Sequence, residues 1–299
     1  MYKQLYNIIT FLITTKNFVK VKIIMQKHIR LLFISIAFIL SILSASACSN
    51  ANHTTDDKKE QSSPIVILHA GGGSDGLNYL NAQETFEGYY QQGYRYFEYD
   101  LKLSTDGKLI ASHAGEYLEY ANPEELTYAE FTALKLFNGY TPANEEWLVQ
   151  TMISHPDVKI VVDAKMPNIE GDVAVLQRIE TLESIYKHDF SANIIPEVFS
   201  KEMWDALSET TTFDRYLFSH YKVYYSIDSM LEYFSDERIW GIALPMWSDN
   251  YIRTNIYRLK EAGKQIMIFT PSTKEEAAEA FSLGADGIYA DTPGIIDLH

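Results

Sequence analysis

Residues 64–114 read PIVILHAGGGSDGLNYLNAQETFEGYYQQGYRYFEYDLKLSTDGKLIASHA, and they carry the strongest structural pattern of the chain. An alternating run ends at the Asp-Gly pair 106–107 and an apolar run follows it, which is typical of two strands joined by a tight turn. With a two-residue loop, Asp100 lies directly opposite His113, and Glu98 lies on the same face. Two carboxylates and a histidine then meet at one point, which suits a divalent cation or acid–base chemistry.

The chain beyond this hairpin alternates short apolar segments with helical stretches, which is the βα pattern of a parallel sheet. Eight apolar segments, the hairpin return arm apart, predict an α/β fold: a (β/α)8 TIM barrel with a β-hairpin after the second strand. The predicted strands are 64–69, 95–101, 158–163, 193–199, 216–220, 239–245, 264–270 and 286–290.

The segment 115–157 is long for one connection, so we expect a helical insertion there, with helices over 123–136 and 143–154. Other helices are expected between the strands, and glycines follow three of them as C-terminal stops. These helices are predicted over 82–92, 171–187, 201–209, 250–262 and 273–283, and the glycines are Gly93, Gly263 and Gly284.

In a barrel of this kind the chemistry gathers where the strands end. Charged side chains at these ends include His69, Glu98, Asp100, Asp163 and Lys165. Charges inside a barrel are costly unless they are paired or bind metal. Asp163 and Lys165 share a strand face, so a structural ion pair is one interpretation of them.

A longer series of residues carries a family resemblance. It comprises His69 with glycines at 71–73, Asn81, Glu84-x-Phe86, Glu98-x-Asp100, Thr105-Asp106-Gly107 and His113. This series resembles the glycerophosphodiester phosphodiesterase family, within the wider group of phospholipase-C-like phosphodiesterases. Weaker similarity continues in VKIVVDAK (158–165), IIPEVF (194–199) and GADGIYADTP (284–293), so the resemblance covers nearly all of residues 64–293.

The chain departs from the common family pattern at two positions. Ala70 stands where His-Arg-Gly usually supplies an arginine, and Ala114 stands where an aspartate usually follows the second histidine. The His-Ala-Gly-Gly opening is similar to a known branch of the family.

The resemblance implies metal-dependent hydrolysis of glycerophosphodiesters to glycerol phosphate and an alcohol. It implies the following roles: His69 and His113 as the acid–base pair, Glu98, Asp100 and Asp163 as ligands of one Ca²⁺ or Mg²⁺, Lys165 as a phosphate contact, and Glu197, Tyr221 and Trp247 as recognition residues. Two alternatives stay open at this point. One is a phospholipase-C-like or phosphoinositide-directed enzyme of the same fold, and the other is a binding lipoprotein with impaired catalysis.

The N-terminal segment 1–47 carries six Lys and Arg residues, no acid and an apolar run over 31–47. This pattern predicts an export signal, with Met25 as the better start. Cys48 follows Ser-Ala-Ser-Ala, which resembles a bacterial lipoprotein signal whose cysteine is lipidated. A plain signal peptide or a short anchor helix is the alternative. Residues 48–63 are then a lipidated, flexible tether, and the protein is exported and held at a membrane of the bacterial cell envelope.

Residues 64–299 are expected to form one phosphodiesterase domain. The chain has a net charge of −15, and removal of the basic segment 1–47 leaves 252 residues with a net charge of −21. Such acidity argues against nucleic acid as a partner and favours a small-molecule or lipid-derived phosphodiester. The chain has one cysteine, so it forms no internal disulfide.

Overall fold

The computed structural model describes residues 64–113, 122–136, 139–248 and 250–296, and nine strands of one sheet lie within them. They are β1 (Ile65–Leu68), β2 (Tyr96–Leu103), β3 (Leu109–Ala111), β4 (Lys159–Ala164), β5 (Ile194–Val198), β6 (Tyr216–Ser219), β7 (Ile239–Pro245), β8 (Gln265–Phe269) and β9 (Gly287–Ala290). β1 pairs in parallel with both β2 and β9, which closes the eight parallel strands into a barrel. β3 is the antiparallel hairpin arm on β2. The predicted α/β TIM barrel with a hairpin after the second strand is confirmed.

Eight α-helices occur in the described residues. They are α1 (Gln83–Gln91), α2 (Tyr128–Thr132), α3 (Glu145–Ser154), α4 (Ile169–Tyr186), α5 (Lys201–Thr210), α6 (Ile227–Tyr233), α7 (Asn250–Glu261) and α8 (Lys274–Ser282). The three predicted glycine stops have left-handed backbones, with φ of 99° at Gly93, 82° at Gly263 and 100° at Gly284.

Two helix predictions differ from the structure. The helix predicted over 123–136 is instead a 3-10 turn, Pro123–Glu125, followed by the short α2. A capping box causes the break, because the Thr127 side chain accepts from the Glu130 N–H while Glu130 binds the Thr127 N–H, and a helix starts afresh there. α6 was not predicted, and its seven residues are too few to show a clear period.

The hairpin register is one residue away from the predicted one. Leu101 pairs with Ala111, and the Ser112 N–H donates to the Asp100 carbonyl at 2.9 Å. Asp100 therefore lies opposite Ser112, and the predicted pairing of Asp100 with His113 is wrong. The loop has three residues, 105–107, and the last of them takes the left-handed conformation typical of such loops.

The barrel interior follows a period of two along every strand. One apolar layer fills its lower part, formed by Ile67, Val161, Ile195, Leu217, Ala243, Met267 and Tyr289. Two residues further along each strand, the same inward direction carries His69, Asp163, Glu197, Ser219, Pro245, Phe269 and Asp291. The apolar layer thus supports a second, mostly polar layer at the carboxyl ends of the strands.

The insertion between β3 and β4 packs on the hairpin through a separate small core of Leu80, Ala82, Ile110, Phe131 and Leu136. The predicted signal segment, Cys48, the tether and Ala114 lie outside the described residues. Within the described ranges, no helix combines the length and apolarity needed to cross a membrane.

Candidate active site

Three carboxylates converge at the top of the barrel. Glu98 and Asp100 come from β2 and Asp163 from β4, and one oxygen of each lies within 4.8 Å of the others. Asp100 and Asp163 are direct partners in the β2–β4 register, so the fold sets them side by side. Their exposed fractions are 2%, 0% and 7%, so solvent screens their mutual repulsion poorly.

Protein donors satisfy one oxygen of each carboxylate. Glu98 Oε2 accepts from the Ala70 N–H at 2.6 Å, and Asp100 Oδ2 accepts from Asn81 Nδ2 at 2.8 Å. Lys165 Nζ donates to Asp163 Oδ2 and lies 3.2 Å from Asp100 Oδ1. The predicted Asp163–Lys165 ion pair is therefore present, and the lysine also pairs with Asp100 on the neighbouring strand β2.

The remaining oxygens test whether a cation fits. Glu98 Oε1 and Asp163 Oδ1 are buried and accept no hydrogen bond, and Asp100 Oδ1 has only the Lys165 ammonium nearby. A buried oxygen without a partner is costly. Three such atoms from three carboxylates match the oxygen ligands that Ca²⁺ and Mg²⁺ take. The residues present fit one hard divalent cation.

Charge within this cluster is unbalanced. Burial, and then the carboxylates of Asp100 and Asp163, raise the pKa of Glu98 well above its ordinary value. Burial also raises the pKa of Asp163 despite the Lys165 ammonium. Burial alone would lower the pKa of Lys165, but Asp163 and Asp100 reverse the direction and raise it. The Lys165 ammonium alone does not balance the three carboxyl groups, and a bound divalent ion would offset the remaining negative charge.

The loop after β1 supplies two of the donors. Ala70 is fully buried with φ 47°, and Gly71 and Gly72 continue at 76° and 83°. This left-handed turn aims the Ala70 N–H at Glu98. At the other end of the loop Asn81 has φ 50°, and its N–H donates to the Ala70 carbonyl at 2.8 Å. Position 70 thus acts through its backbone, and its small side chain fits the buried turn.

His69 is oriented by an acid, Asp291, that was not among the predicted site residues. The Asp291 carboxylate lies 2.7 Å from His69 Nδ1, and because a carboxylate only accepts, Nδ1 carries a proton. The other ring nitrogen, Nε2, is 3.8 Å from Glu98 Oε2. Counting in steps of two from the inward Tyr289 would have identified Asp291. The carboxylate holds the ring and fixes its tautomer, as in other carboxylate–histidine pairs.

His113 joins the same cavity through Tyr79. The Tyr79 ring meets His69 edge-on with centroids 4.9 Å apart, and it stacks on His113 at 5.0 Å with an interplanar angle of 27°. Tyr79 has φ 58°, in a loop with no strand or helix period. No sequence pattern pointed to it. The two histidines predicted as an acid–base pair therefore line one cavity, on either side of this ring.

The cavity has a volume of about 360 Å³. The four predicted substrate-binding residues, Lys165, Glu197, Tyr221 and Trp247, all line it. Burial, followed by the charge of Asp163, raises the pKa of Glu197 to about 8. Tyr289 donates a hydrogen bond to Glu197 Oε1. Tyr221 and Trp247 lie at the rim and are 62% and 70% exposed, so they are available to a ligand.

Comparisons with known proteins agree with this geometry. The sequence profile of the Glycerophosphoryl diester phosphodiesterase family matches residues 69–295. A glycerophosphoryl diester phosphodiesterase from Parabacteroides distasonis ATCC 8503 is similar in structure, with a TM-score of 0.61 and 19% identity over 78% of this chain and 85% of that one. Among curated proteins, none matches this chain.

Two further solved structures are similar. The glycerophosphodiester phosphodiesterase of Thermotoga maritima has a TM-score of 0.60 and 20% identity over 81% of this chain and 96% of its own. An Oleispira antarctica phosphodiesterase, solved in complex with the product sn-glycerol-3-phosphate, has a TM-score of 0.60 and 16% identity over 77% and 94%. At these identities the likeness shows a shared fold.

Proposed function

This chain belongs to the glycerophosphoryl diester phosphodiesterase family and is a phosphoric diester hydrolase, and on that premise we propose that it cleaves glycerophosphodiesters to glycerol phosphate and an alcohol. One observation carries the proposal. Two of the three clustered carboxylates, Glu98 and Asp163, line the same cavity as the two histidines, and Asp100 completes the buried cluster beside them. A phosphodiester needs its negative charge offset and two protons moved, and these residues provide for both.

Glu98, Asp100 and Asp163 are the residues that would hold one Ca²⁺ or Mg²⁺. Such an ion, when bound, offsets the phosphate charge and stabilises the charge that develops on its oxygens. Lys165 adds a fixed positive charge beside the same carboxylates, held there by Asp163 and Asp100. Its ammonium is placed to contact a non-bridging phosphate oxygen.

The histidines divide the proton transfers. His69, with its Nδ1 proton bound to Asp291, has Nε2 directed at the cavity and acts as the base. It takes the proton of the nucleophile, which is water or a neighbouring substrate hydroxyl, as the new phosphorus–oxygen bond forms. His113 gives its proton to the departing alkoxide as the other phosphorus–oxygen bond breaks. Tyr79 contacts both rings.

Recognition of the substrate falls to the cavity wall. Glu197, whose pKa is raised to about 8, retains its proton at neutral pH and can donate to a glycerol hydroxyl. Tyr221 and Trp247 present exposed ring faces to the rest of the molecule. Ala70 provides no cation, in keeping with the His-Ala-Gly-Gly branch, so phosphate binding rests on Lys165 and the divalent ion.

A panel of glycerophosphodiesters, assayed with Ca²⁺, with Mg²⁺ and with chelator, tests the proposal. We expect release of glycerol phosphate in the presence of cation from several panel members, because Glu98, Asp163 and Lys165 address the phosphate shared by all of them. Phosphorus NMR of the products separates direct hydrolysis from formation of a cyclic phosphate.

A phosphoinositide is assayed beside the panel, and two results would contradict the proposal. Turnover of phosphoinositides alone would favour the phospholipase-C-like alternative. Binding of diesters without turnover would identify a binding lipoprotein.

The N-terminal region leads to a proposal about location. The basic segment, the apolar run over 31–47 and the single cysteine at its end support export followed by lipidation of Cys48, so that a membrane of the bacterial cell envelope holds the protein. Residues 48–63 would then tether the domain. A membrane-held enzyme would be close to diesters derived from lipids.

Substitution of the cysteine tests the anchor. Cys48→Ala is expected to move the protein from the membrane fraction to the soluble extracellular or periplasmic fraction, because the lipid would have no attachment atom. Ser49→Ala is the matched control and should stay with membranes. If Cys48→Ala protein stays in the membrane fraction, the apolar run is an uncleaved span. Starting translation at Met25 should leave export unchanged.

A further inference from the structure

A second cavity, of about 290 Å³, adjoins the first at the carboxyl ends of β6 and β7. Tyr221 and Trp247 line both cavities, so these two rings form the wall between them. Tyr224, Val223 and the buried Ile252 complete much of the second cavity. A group that extends from the phosphodiester toward β6 and β7 meets this wall first.

The second cavity has an uncharged lining. Its described lining residues are aromatic, aliphatic or neutral polar, and none is an acid, a lysine or an arginine. His220 also lies in the lining, and its Nε2 accepts the Tyr225 N–H at 2.7 Å. A nitrogen that accepts carries no proton, so the His220 ring is neutral. Among the described lining residues there is therefore no counter-charge for a phosphate, a carboxylate or an ammonium group.

The aromatic rings that line the second cavity are exposed, so a ligand can reach them. Tyr221, Tyr224 and Trp247 are 62%, 63% and 70% exposed, and Val223 is 40% exposed. Four large side chains exposed side by side at the rim of a cavity form an apolar patch in a strongly acidic chain. A contiguous patch of this kind marks a binding site more often than scattered exposed residues do.

We propose that the second cavity binds an alkyl chain on the alcohol half of the diester. The proposal rests on the proposed function, and it makes the substrate class that of glycerophosphodiesters whose leaving alcohol carries an apolar chain. The glycerol half needs a hydroxyl partner, which Glu197 supplies in the first cavity. The alkyl half finds ring faces at Tyr221 and Trp247 and then the apolar walls beyond them.

A chain-length series tests this inference. The substrates are glycerophospho-methanol, -butanol and -hexanol, each assayed with the divalent cation at concentrations where it stays monomeric. Burial of each methylene is expected to raise kcat/KM roughly three- to fourfold until the cavity is filled. Glycerophosphocholine, with a cationic group of similar bulk, is measured alongside.

Variants at Tyr224 test whether the dependence of kcat/KM on chain length arises in the second cavity. Tyr224 lines the second cavity and is absent from the lining of the first. Tyr224→Ser is expected to bring the hexyl-to-methyl ratio of kcat/KM close to one, and Tyr224→Phe, which keeps the ring, should preserve it. Tyr257→Ser is the control, because Tyr257 is 54% exposed on α7 and lines neither cavity.

The outcomes separate the two proposals. Equal kcat/KM for methyl and hexyl diesters in the native protein overturns the alkyl site and leaves the proposed function standing. An unchanged ratio in Tyr224→Ser also overturns it. A preference for the choline diester that Tyr224→Ser abolishes replaces the alkyl site with a cation site. Failure to cleave any member, the methyl diester included, overturns both proposals.

Discussion

Replacement of either cavity histidine by alanine is expected to lower kcat by roughly 10²–10⁴-fold, the usual contribution of one acid–base group. The His69→Ala substitution removes the ring whose tautomer Asp291 fixes. The His113→Ala substitution removes the ring that stacks on Tyr79. Steady-state kinetics on a glycerophosphodiester with saturating cation measures both. KM should change less than kcat, since the two rings act in the proton transfers while Lys165 and the cation bind the phosphate.

The double variant provides the stricter measurement. If the two rings act in one step, the loss for His69→Ala with His113→Ala is much smaller than the product of the single losses. His188→Ala is the control, because the His188 ring packs on Phe190 and does not line the cavity. Full activity in the His113→Ala variant would show that His113 takes no part in catalysis.

Inward-facing alternation explains why much of the site could be predicted. The eight apolar segments are the eight barrel strands, and residues in steps of two along them face the interior. Glu98 and Asp100 on β2 and Asp163 on β4 follow from that rule alone. Lys165 and Glu197 lie on the same inward lines, and both line the cavity. In a barrel, strand order brings such ends together without further information.

The hairpin shows where such a rule is insufficient. An Asp-Gly pair fits a two-residue loop and also the end of a three-residue loop, and the two differ by one residue of register. The sequence pattern alone does not separate them. The structure has the longer loop, so Asp100 faces Ser112. His113 nevertheless lines the cavity, where its ring stacks on Tyr79.

Asp291 and Tyr79 were missed for different reasons. Asp291 also fits a helix cap, and this alternative kept it out of the predicted site although its place after β9, beside β1, follows from a closed barrel. Tyr79 lies in a loop whose backbone is left-handed at four non-glycine positions, Ala70, Asp75, Tyr79 and Asn81. Such loops have no period, so the direction of their side chains is set by tertiary contacts.

Addition of Ca²⁺ or Mg²⁺ is expected to raise the melting temperature and to restore activity lost to a chelator. Three buried carboxylates share one ammonium, and a divalent ion that binds the folded state alone stabilises it by mass action. At a cation concentration of 100 Kd the gain is about 2.7 kcal/mol. For a domain of this size that corresponds to about 5–10 °C. Loss of the ion should lower kcat on the order of 10³-fold, since its charge stabilisation is several kcal/mol.

Asp100→Asn identifies the ligand set. The amide keeps an oxygen for Asn81 but removes one negative charge from the cluster, so most of the cation-dependent rise in melting temperature should vanish and activity should fall with it. Asp172→Asn is the matched control. Asp172 is also a buried aspartate, and it accepts from the Met166 N–H outside the three-carboxylate cluster, so the rise should persist in that variant. Differential scanning fluorimetry measures both. If the cation leaves the melting temperature and the activity of the native protein unchanged, the three carboxylates do not form a metal site.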